Sequence, residues 1–544
     1  MKASDLFVKQ LEAEGVEYVF GLPGEENLDL LESFRTSSIK VIITRHEQTA
    51  AFMAATYGRL TGKAGVCFAT LGPGATNLVT GVAQAQLIGA PLISISGQKP
   101  LRENWQGRFQ LIDVVSLMRP ITKASVSILD PDSIPTIVRN AFKLAQAERP
   151  GAVHVELPED VAASQTSAQV QNRGYTRRPV PDTKAVIRAT ELINKAERPL
   201  IMLSSGANRN LVSLQLTKFI EETGIYAIHT QMGKGVLSDE SKYSLFGSGI
   251  HRRDYVNCGT DLADVIIPIG YNIAEYPPYI WNRNLDKKII NIDFADAEID
   301  RYYNPDVNII GDVSTTLQCL GGMITRSKKD KAFSSLRDFL NRKLSPINLN
   351  QYPLTSQEIV WHVRNVLSPD GILTLDNGIY KLWFSRLYRT YKPNTFLVDN
   401  ALATMGAGLP AGIMAKMLWP ERQVLTVVGD GGFMMNSREL ETGLRYNVHL
   451  VVLLLNDNAF GFIKWKQKSR GFPNFSLDYT NPDFVKYAES YGAVGIKVKK
   501  GDNLSKLLQD AFSLKKLVLV ECPIDYSDNY ETFSKDLATF QCDS

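Results

Sequence analysis

Val424-Leu-Thr-Val-Val-Gly-Asp-Gly-Gly-Phe-Met-Met-Asn436 opens the stretch that decides the fold. It continues through the helix-like Ser437-Arg-Glu-Leu-Glu-Thr-Gly-Leu-Arg445 to Val451-Val-Leu-Leu-Leu-Asn-Asp-Asn-Ala-Phe-Gly461. Two apolar runs of strand length, separated by a helix and each ending in glycine with acid or amide residues, read as a parallel βαβ unit. Its polar tips then lie at the carboxyl ends of neighbouring buried strands, where open α/β sheets place ligands. Asp430, Asn456 and Asp457 supply oxygens there, while Gly429, Gly431 and Gly432 let backbone amides approach closely. Hard oxygens beside exposed amides suit a magnesium ion carrying a phosphate group. Gly-Asp-Gly by itself is also a common structural turn. Its pairing with Asn456-Asp457 after the next strand is more specific.

Outward from this unit, the chain alternates strand and helix patterns throughout. Tyr18 to Gly24 is a strand running into a Gly-Pro turn, and a short strand at Val41 to Thr44 precedes Arg45-His46-Glu47-Gln48. An alanine-rich helix covers Ala50 to Leu60, with Gly62 just past its end. Gly65 to Thr70, Leu92 to Ser96 and Val153 to Leu157 are further buried strands. Ser164 to Asp182 is polar and aperiodic and reads as a linker. Pro199 to Leu203, Val265 to Gly270 and Lys288 to Asp293 mark a second α/β region, and a basic helical connector leads from Ser327 to Lys343. The last strand is Leu517 to Cys522. The expected fold is α/β: three doubly wound domains with largely parallel sheets, at residues 1–165, 183–325 and 356–544.

The 544 residues are ordinarily globular, with 44% hydrophobic and 22% charged residues, enough for about three or four domains. A net charge of +3 gives no reason to expect nucleic acid, and Lys328 to Lys331 reads as a solvated face. No run approaches about 20 consecutive apolar residues, so no membrane span is expected. The amphipathic start lacks a signal peptide's apolar core. The five cysteines are scattered, without a CxxC pair, and favour a reduced interior over a disulfide framework or zinc site. Cys67 and Cys522 lie in apolar runs as buried, inert thiols, and the expected compartment is the cytoplasm.

Glu47 stands at a strand-to-helix junction. From position alone it suits a helix N-terminus through the dipole. The other reading is a buried carboxylate that hydrogen-bonds a cofactor ring and shifts its protons.

Taken together, Gly429 to Phe433, Asn456-Asp457, Arg45-His46-Glu47, Phe20 to Gly24 and Gly72-Pro73-Gly74-Ala75-Thr76-Asn77 resemble the motifs of thiamine-diphosphate enzymes of the acetolactate synthase and pyruvate oxidase group. The resemblance runs nearly end to end. It implies an N-terminal pyrimidine-binding domain, a central domain and a C-terminal diphosphate-binding domain. It also implies a homodimer or homotetramer with active sites between chains. Glu47 resembles the glutamate at the pyrimidine ring nitrogen. Asp430 and Asp457 match side-chain ligands of Mg2+, and Ala459 a backbone carbonyl ligand. Asp457 stands where many relatives carry asparagine. Gly431 and Gly432 would offer backbone to phosphate, as would Gly378 in Asp376-Asn377-Gly378-Ile379-Tyr380, where Ile379 and Tyr380 depart from the Gly-Gln-His of biosynthetic synthases. Ala401 to Gly406 resembles the loop that bends the cofactor, with Met405 as wedge and the Ala403 carbonyl on the exocyclic amine. Gln110, in Arg108-Phe109-Gln110, matches a glutamine near substrate and is grouped with Glu47 as catalytic.

The shared chemistry of this group is decarboxylation of a 2-oxo acid to a cofactor-bound enamine. Decarboxylases that release an aldehyde use active-site histidines; this chain has six and no His-His pair. Oxidation requires a flavin. Ile269 to Tyr276 and Pro523 to Asn529 resemble the flavin-independent, catabolic synthases. Biosynthetic synthases carry a tryptophan five positions after the glycine matching Gly461; here Trp465 is four positions on and Lys466 takes the fifth. The expectation is therefore an acetolactate synthase that condenses two pyruvates to 2-acetolactate and CO2. A pyruvate oxidase or 2-oxo acid decarboxylase of the same fold is the alternative, FAD is the less favoured cofactor, and a regulatory small subunit is left open. Retention of Glu47 argues against a non-catalytic relative.

Overall fold

The computed structural model describes residues 1–103, 109–174, 178–208, 210–248, 253–325, 330–345 and 351–542. Arg108, quoted above with Gln110, and Lys328 of the basic stretch lie outside them. The chain forms two compact units.

The first unit comprises Met1–Arg177, Ala401–Pro420 and Asn436–Val448. Its sheet contains β1 (Tyr18–Gly21), β2 (Lys40–Ile43), β3 (Gly65–Ala69), β4 (Leu92–Gln98), β5 (Ala124–Ser127) and β6 (Ala152–Pro158), in the order β2-β1-β3-β4-β6-β5. Every neighbouring pair is parallel. β3, β4 and β6 are buried along their whole length, and apart from Gln98, His154 and Glu156 they consist of apolar or small residues. The helix Glu47–Thr61 packs on this sheet so closely that a Cβ on Gly65 would sit 2.0 Å from the Ala54 carbonyl oxygen. That helix also packs against Gly408–Leu418, part of the same unit although far along the chain.

The second unit comprises Arg178–Asn400, Glu421–Met435 and His449–Ser544 and holds two sheets. One is built from β7 (Pro199–Leu203), β8 (Tyr226–His229), β9 (Ser244–Gly247), β10 (Val265–Ile269), β11 (Lys288–Asp293) and β12 (Val307–Ile310), in the order β12-β11-β10-β7-β8-β9. The other contains β13 (Leu354–Thr355), β14 (Ile372–Leu375), β15 (Phe396–Leu397), β16 (Val424–Gly429), β17 (Val451–Asn456), β18 (Val494–Lys497) and β19 (Val518–Asp525). Its order is β13-β19-β17-β16-β14-β15, with β18 also on β19. β16 and β17 pair in parallel, with Gly429 opposite Leu455, so the expected βαβ unit is present. Strand order reverses between β14 and β16, which opens a crevice at their carboxyl ends.

The strand passes straight into a helix, Asp430–Asn436, where the Asp430 carboxylate accepts from the Gly431 amide at 3.0 Å and occupies a first-turn donor. One expectation is corrected: the cysteines are not all reduced. Cys258 and Cys542, 284 residues apart, form a disulfide with a Cα–Cα distance of 5.5 Å, a pairing that sequence spacing hides. Cys67, Cys319 and Cys522 are free, and burial pushes the thiols of Cys67 and Cys522 well above their ordinary range. No helix among the described residues is long and apolar enough to cross a membrane.

Candidate active site

In the second unit the chemistry gathers at the carboxyl ends of β14, β16 and β17. Asp430 is buried, and Asp457 stands one residue past the end of β17. Burial raises the Asp430 carboxyl above its ordinary value, opposed by hydrogen bonds from Asn481, Gly431 and Tyr479. Burial and the Asp430 charge push Asp457 up to about 7. A buried carboxylate whose charge raises its neighbour's affinity for a proton marks a site short of positive charge.

The Asn481 amide nitrogen fills part of that deficit. It lies 2.7 Å from Asp430 Oδ2, 3.1 Å from Asn456 Oδ1 and 3.1 Å from Asn458 Oδ1, so three acceptors converge on a group with two hydrogens. Ala459 also turns an oxygen to the site, and its carbonyl accepts from Tyr479 Oη at 3.1 Å. Among the described residues no three His, Cys, Asp or Glu side chains form a ready-made metal cage. Two carboxylates plus a backbone carbonyl leave the remaining positions to water and phosphate oxygens, the arrangement Mg2+ favours. The residues therefore fit a divalent cation carrying a diphosphate.

Glycines let the backbone and neighbouring side chains pack closely here. A Cβ on Gly432 would sit 3.0 Å from Asp376 Oδ1, and one on Gly378 would sit 2.3 Å from the Tyr380 ring. Tyr380 is fully buried where the sequence departs from the Gly-Gln-His pattern. Its hydroxyl accepts from the Gly429 amide at 2.9 Å, so it braces the end of β16. Burial and the charges of Asp376, Asp430 and Asp457 raise its phenol well above the usual range.

In the first unit Glu47 is the first residue of its helix, with His46 at the N-cap accepting from the Gln48 amide through Nδ1 at 3.1 Å. Glu47 is 9% exposed, and its Oε2 accepts from Asn77 Nδ2 at 3.0 Å. The neighbouring Arg45 amide donates to both oxygens of Glu439 at 3.2 Å, and Glu439 is fully buried. Ala403 has a left-handed backbone, φ 59°, and lies exposed in a segment tethered by Gln84 to Thr404 Oγ1 at 3.0 Å and by Asn436 to the Gly406 carbonyl at 2.8 Å. A non-glycine residue held at positive φ costs energy that the surrounding contacts must offset. Met405, in the same segment, is half-buried. Gln110 is exposed, also at positive φ, and its carbonyl oxygen lies over Gly72.

Family models cover most of the chain. The N-terminal TPP binding domain of thiamine pyrophosphate enzymes matches residues 1–117, the central domain 186–320 and the C-terminal TPP binding domain 376–522. The acetolactate synthase of Bacillus subtilis (strain 168) is 32% identical over 543 residues, covering 98% of this chain and 95% of the relative. A probable acetolactate synthase large subunit of Methanocaldococcus jannaschii is 34% identical over 544 residues (96% and 92%), and a catabolic acetolactate synthase of Raoultella terrigena 32% over 538 residues (97% and 95%). The chain belongs to the acetolactate synthase family of thiamine pyrophosphate enzymes.

For a thiamine pyrophosphate enzyme, the structure brings Gly378, Asp430, Gly431, Gly432, Asp457 and Ala459 together in the second unit. Glu47, Gln110, Ala403 and Met405 belong to the first. Sequence reasoning missed Asn481, Tyr479, Asn77 and Glu439. Asn481-Pro482 is a turn signal just before the helix Phe484–Tyr491, and Asn77 sits inside a quoted motif; these were the available cues. Nothing in sequence ties Glu439 to Arg45.

Proposed function

We propose that this chain is an acetolactate synthase condensing two pyruvates to 2-acetolactate with release of CO2, with thiamine diphosphate anchored through Mg2+. The reading is carried by the end-to-end match to relatives bearing that name, which spans both Glu47 and the Asp430–Asp457 pair. When bound, the cofactor supplies the electron sink that decarboxylation of a 2-oxo acid requires.

The residues then divide the work. Asp430, Asp457 and the Ala459 carbonyl would hold the cation, and the backbone at Gly378, Gly431 and Gly432 would receive the diphosphate. Asn77 engages Glu47 Oε2, and the Glu47 carboxylate would hold a proton at the cofactor's pyrimidine ring. The Ala403 carbonyl, at its left-handed turn, and Met405 would receive the cofactor, and Gln110 would orient substrate. The two halves act across a homo-oligomer, each site completed by a second copy of the chain. The deciding experiment supplies pyruvate, thiamine diphosphate and Mg2+ and identifies products, with and without 2-oxobutyrate. Acetolactate from pyruvate alone is expected; acetaldehyde or acetyl phosphate as sole product would overturn the reading.

A further inference from the structure

The helix Tyr380–Leu387 carries a lysine one residue beyond Tyr380 that the account above does not use. Lys381 is only 6% exposed. Its Nζ donates to the Asp399 backbone carbonyl at 3.1 Å and to Asn400 Oδ1 at 3.1 Å. Asn400 donates in turn through Nδ2 to the Glu275 carbonyl at 3.2 Å. The buried Glu275 carboxylate accepts from Ser204 Oγ at 3.0 Å and from the Met232 amide. A chain of hydrogen bonds thus runs from the first turn after β14, through the residues after β15, to the loops of the second sheet.

The place it grips matters. Asn400 is the last residue of the second unit before the chain enters the first as Ala401. The next residues, Ala401 to Gly406, include left-handed Ala403 and Met405. An ammonium is costly to bury. Burial depresses this one from its ordinary value to about 8, against the charges of Asp399, Glu275 and Asp376. Its charge makes the bonds to both oxygens charge-assisted and stronger than a neutral amine's, and loss of the proton would weaken the grip.

We propose that Lys381 is a positioning residue: by gripping Asp399 and Asn400 it sets the departure of the Ala401–Gly406 segment and holds it in the shape that receives the cofactor. This rests on the assignment of that segment to the cofactor under Proposed function. The charged groups facing Lys381 are Asp376 at the end of β14, Asp399 after β15 and Glu275 from the second sheet.

The test uses full-length wild type, Lys381→Met and Lys381→Gln. Affinity for thiamine diphosphate at saturating Mg2+ is read by tryptophan fluorescence near pH 7 and near pH 9, alongside kcat and KM for pyruvate. Lys381→Met should weaken cofactor affinity and lower kcat by about tenfold each, with KM for pyruvate little changed. Lys381→Gln, which can still donate to one of the two oxygens, should recover part of both. Wild-type affinity should fall as pH rises through about 8 and the ammonium loses its proton, and both variants should lack that fall. A Lys381→Met protein with wild-type affinity, kcat and pH response overturns the proposal. If Lys381→Met does not fold, the pH response of Lys381→Gln decides: a retained fall overturns it. The two readings fail separately. Wild type that makes no acetolactate yet binds the cofactor in a Lys381-dependent way sinks the reaction, whereas acetolactate formation indifferent to Lys381 sinks this role.

Discussion

Asp457 carries a strong electrostatic consequence beside the candidate metal site. Its folded value is raised from that of an ordinary carboxyl to about 7, so the folded protein without metal holds the proton more tightly than the unfolded chain does. The sign follows: metal-free stability falls as pH rises from about 4 through 7, because the unfolded carboxyl ionises first, and Mg2+ reverses the loss by binding the ionised form. Mg2+ affinity should therefore strengthen from pH 6 to pH 8, with proton release detectable by calorimetry in buffers of different ionisation heat. Asp457→Asn should flatten that dependence; an unchanged pH response would remove Asp457 from the metal site. Glu47 gives a cleaner catalytic test. Glu47→Gln keeps an acceptor for Asn77 but gives up the proton-holding carboxylate. Turnover should drop by about a thousandfold while cofactor affinity measured by fluorescence stays close to wild type.

Elements were legible where burial made them monotonous. β3, β10, β11, β16 and β17 are apolar runs with a glycine, acid or amide at or just beyond the end, and each emerged within a residue or two of its reading. β5 (Ala-Ser-Val-Ser) and the short β8, β9 and β12 did not, because four residues carry little periodicity and β5 is only half-buried. The site was legible on the same terms. Asp430 and Asp457 stand at strand ends a few dozen residues apart, whereas Asn481, Tyr479 and Glu439 reach their partners only through tertiary folding. Helix-on-sheet packing yields its own prediction. A methyl at Gly65 collides with the Ala54 carbonyl inside the helix that begins at Glu47, and backbone cannot step aside as a flexible side chain would. Gly65→Ala should destabilise the protein by about 1–3 kcal/mol or more, seen as a lower midpoint in denaturant, and should reduce turnover by displacing Glu47.

At the scale of the molecule, the unforeseen feature is how the C-terminal segment is fastened. Phe533 packs between Trp383 and Trp465, at ring distances of 4.9 and 5.9 Å, and Trp465 belongs to the helix that follows the Asp457–Ala459 turn. Farther on, Asp536 accepts from Tyr255 Oη at 2.5 Å, Phe540 stacks edge-on against the Tyr255 ring at 4.6 Å, and Cys542 closes onto Cys258. The segment thus links the helix beside the carboxylate pair to the helical stretch Tyr255–Leu262 between β9 and β10, all within the second unit. A link across 284 residues restricts the unfolded chain strongly, and the loop-closure model puts the gain at about 6 kcal/mol as an upper figure. In a compartment rich in dithiols, exchange would convert the bridge to two thiols and leave the segment held only by its aromatic and polar contacts. Protein unfolded without reductant should therefore titrate three thiols, Cys67, Cys319 and Cys522, and five after reduction. Reduced protein and Cys542→Ser should both melt earlier and expose the last dozen residues to proteolysis, while the sheets stay protected. Five thiols without reductant would show the bridge unformed, and a Cys542→Ser protein melting with the oxidised wild type would leave the aromatic contacts as the whole of the fastening.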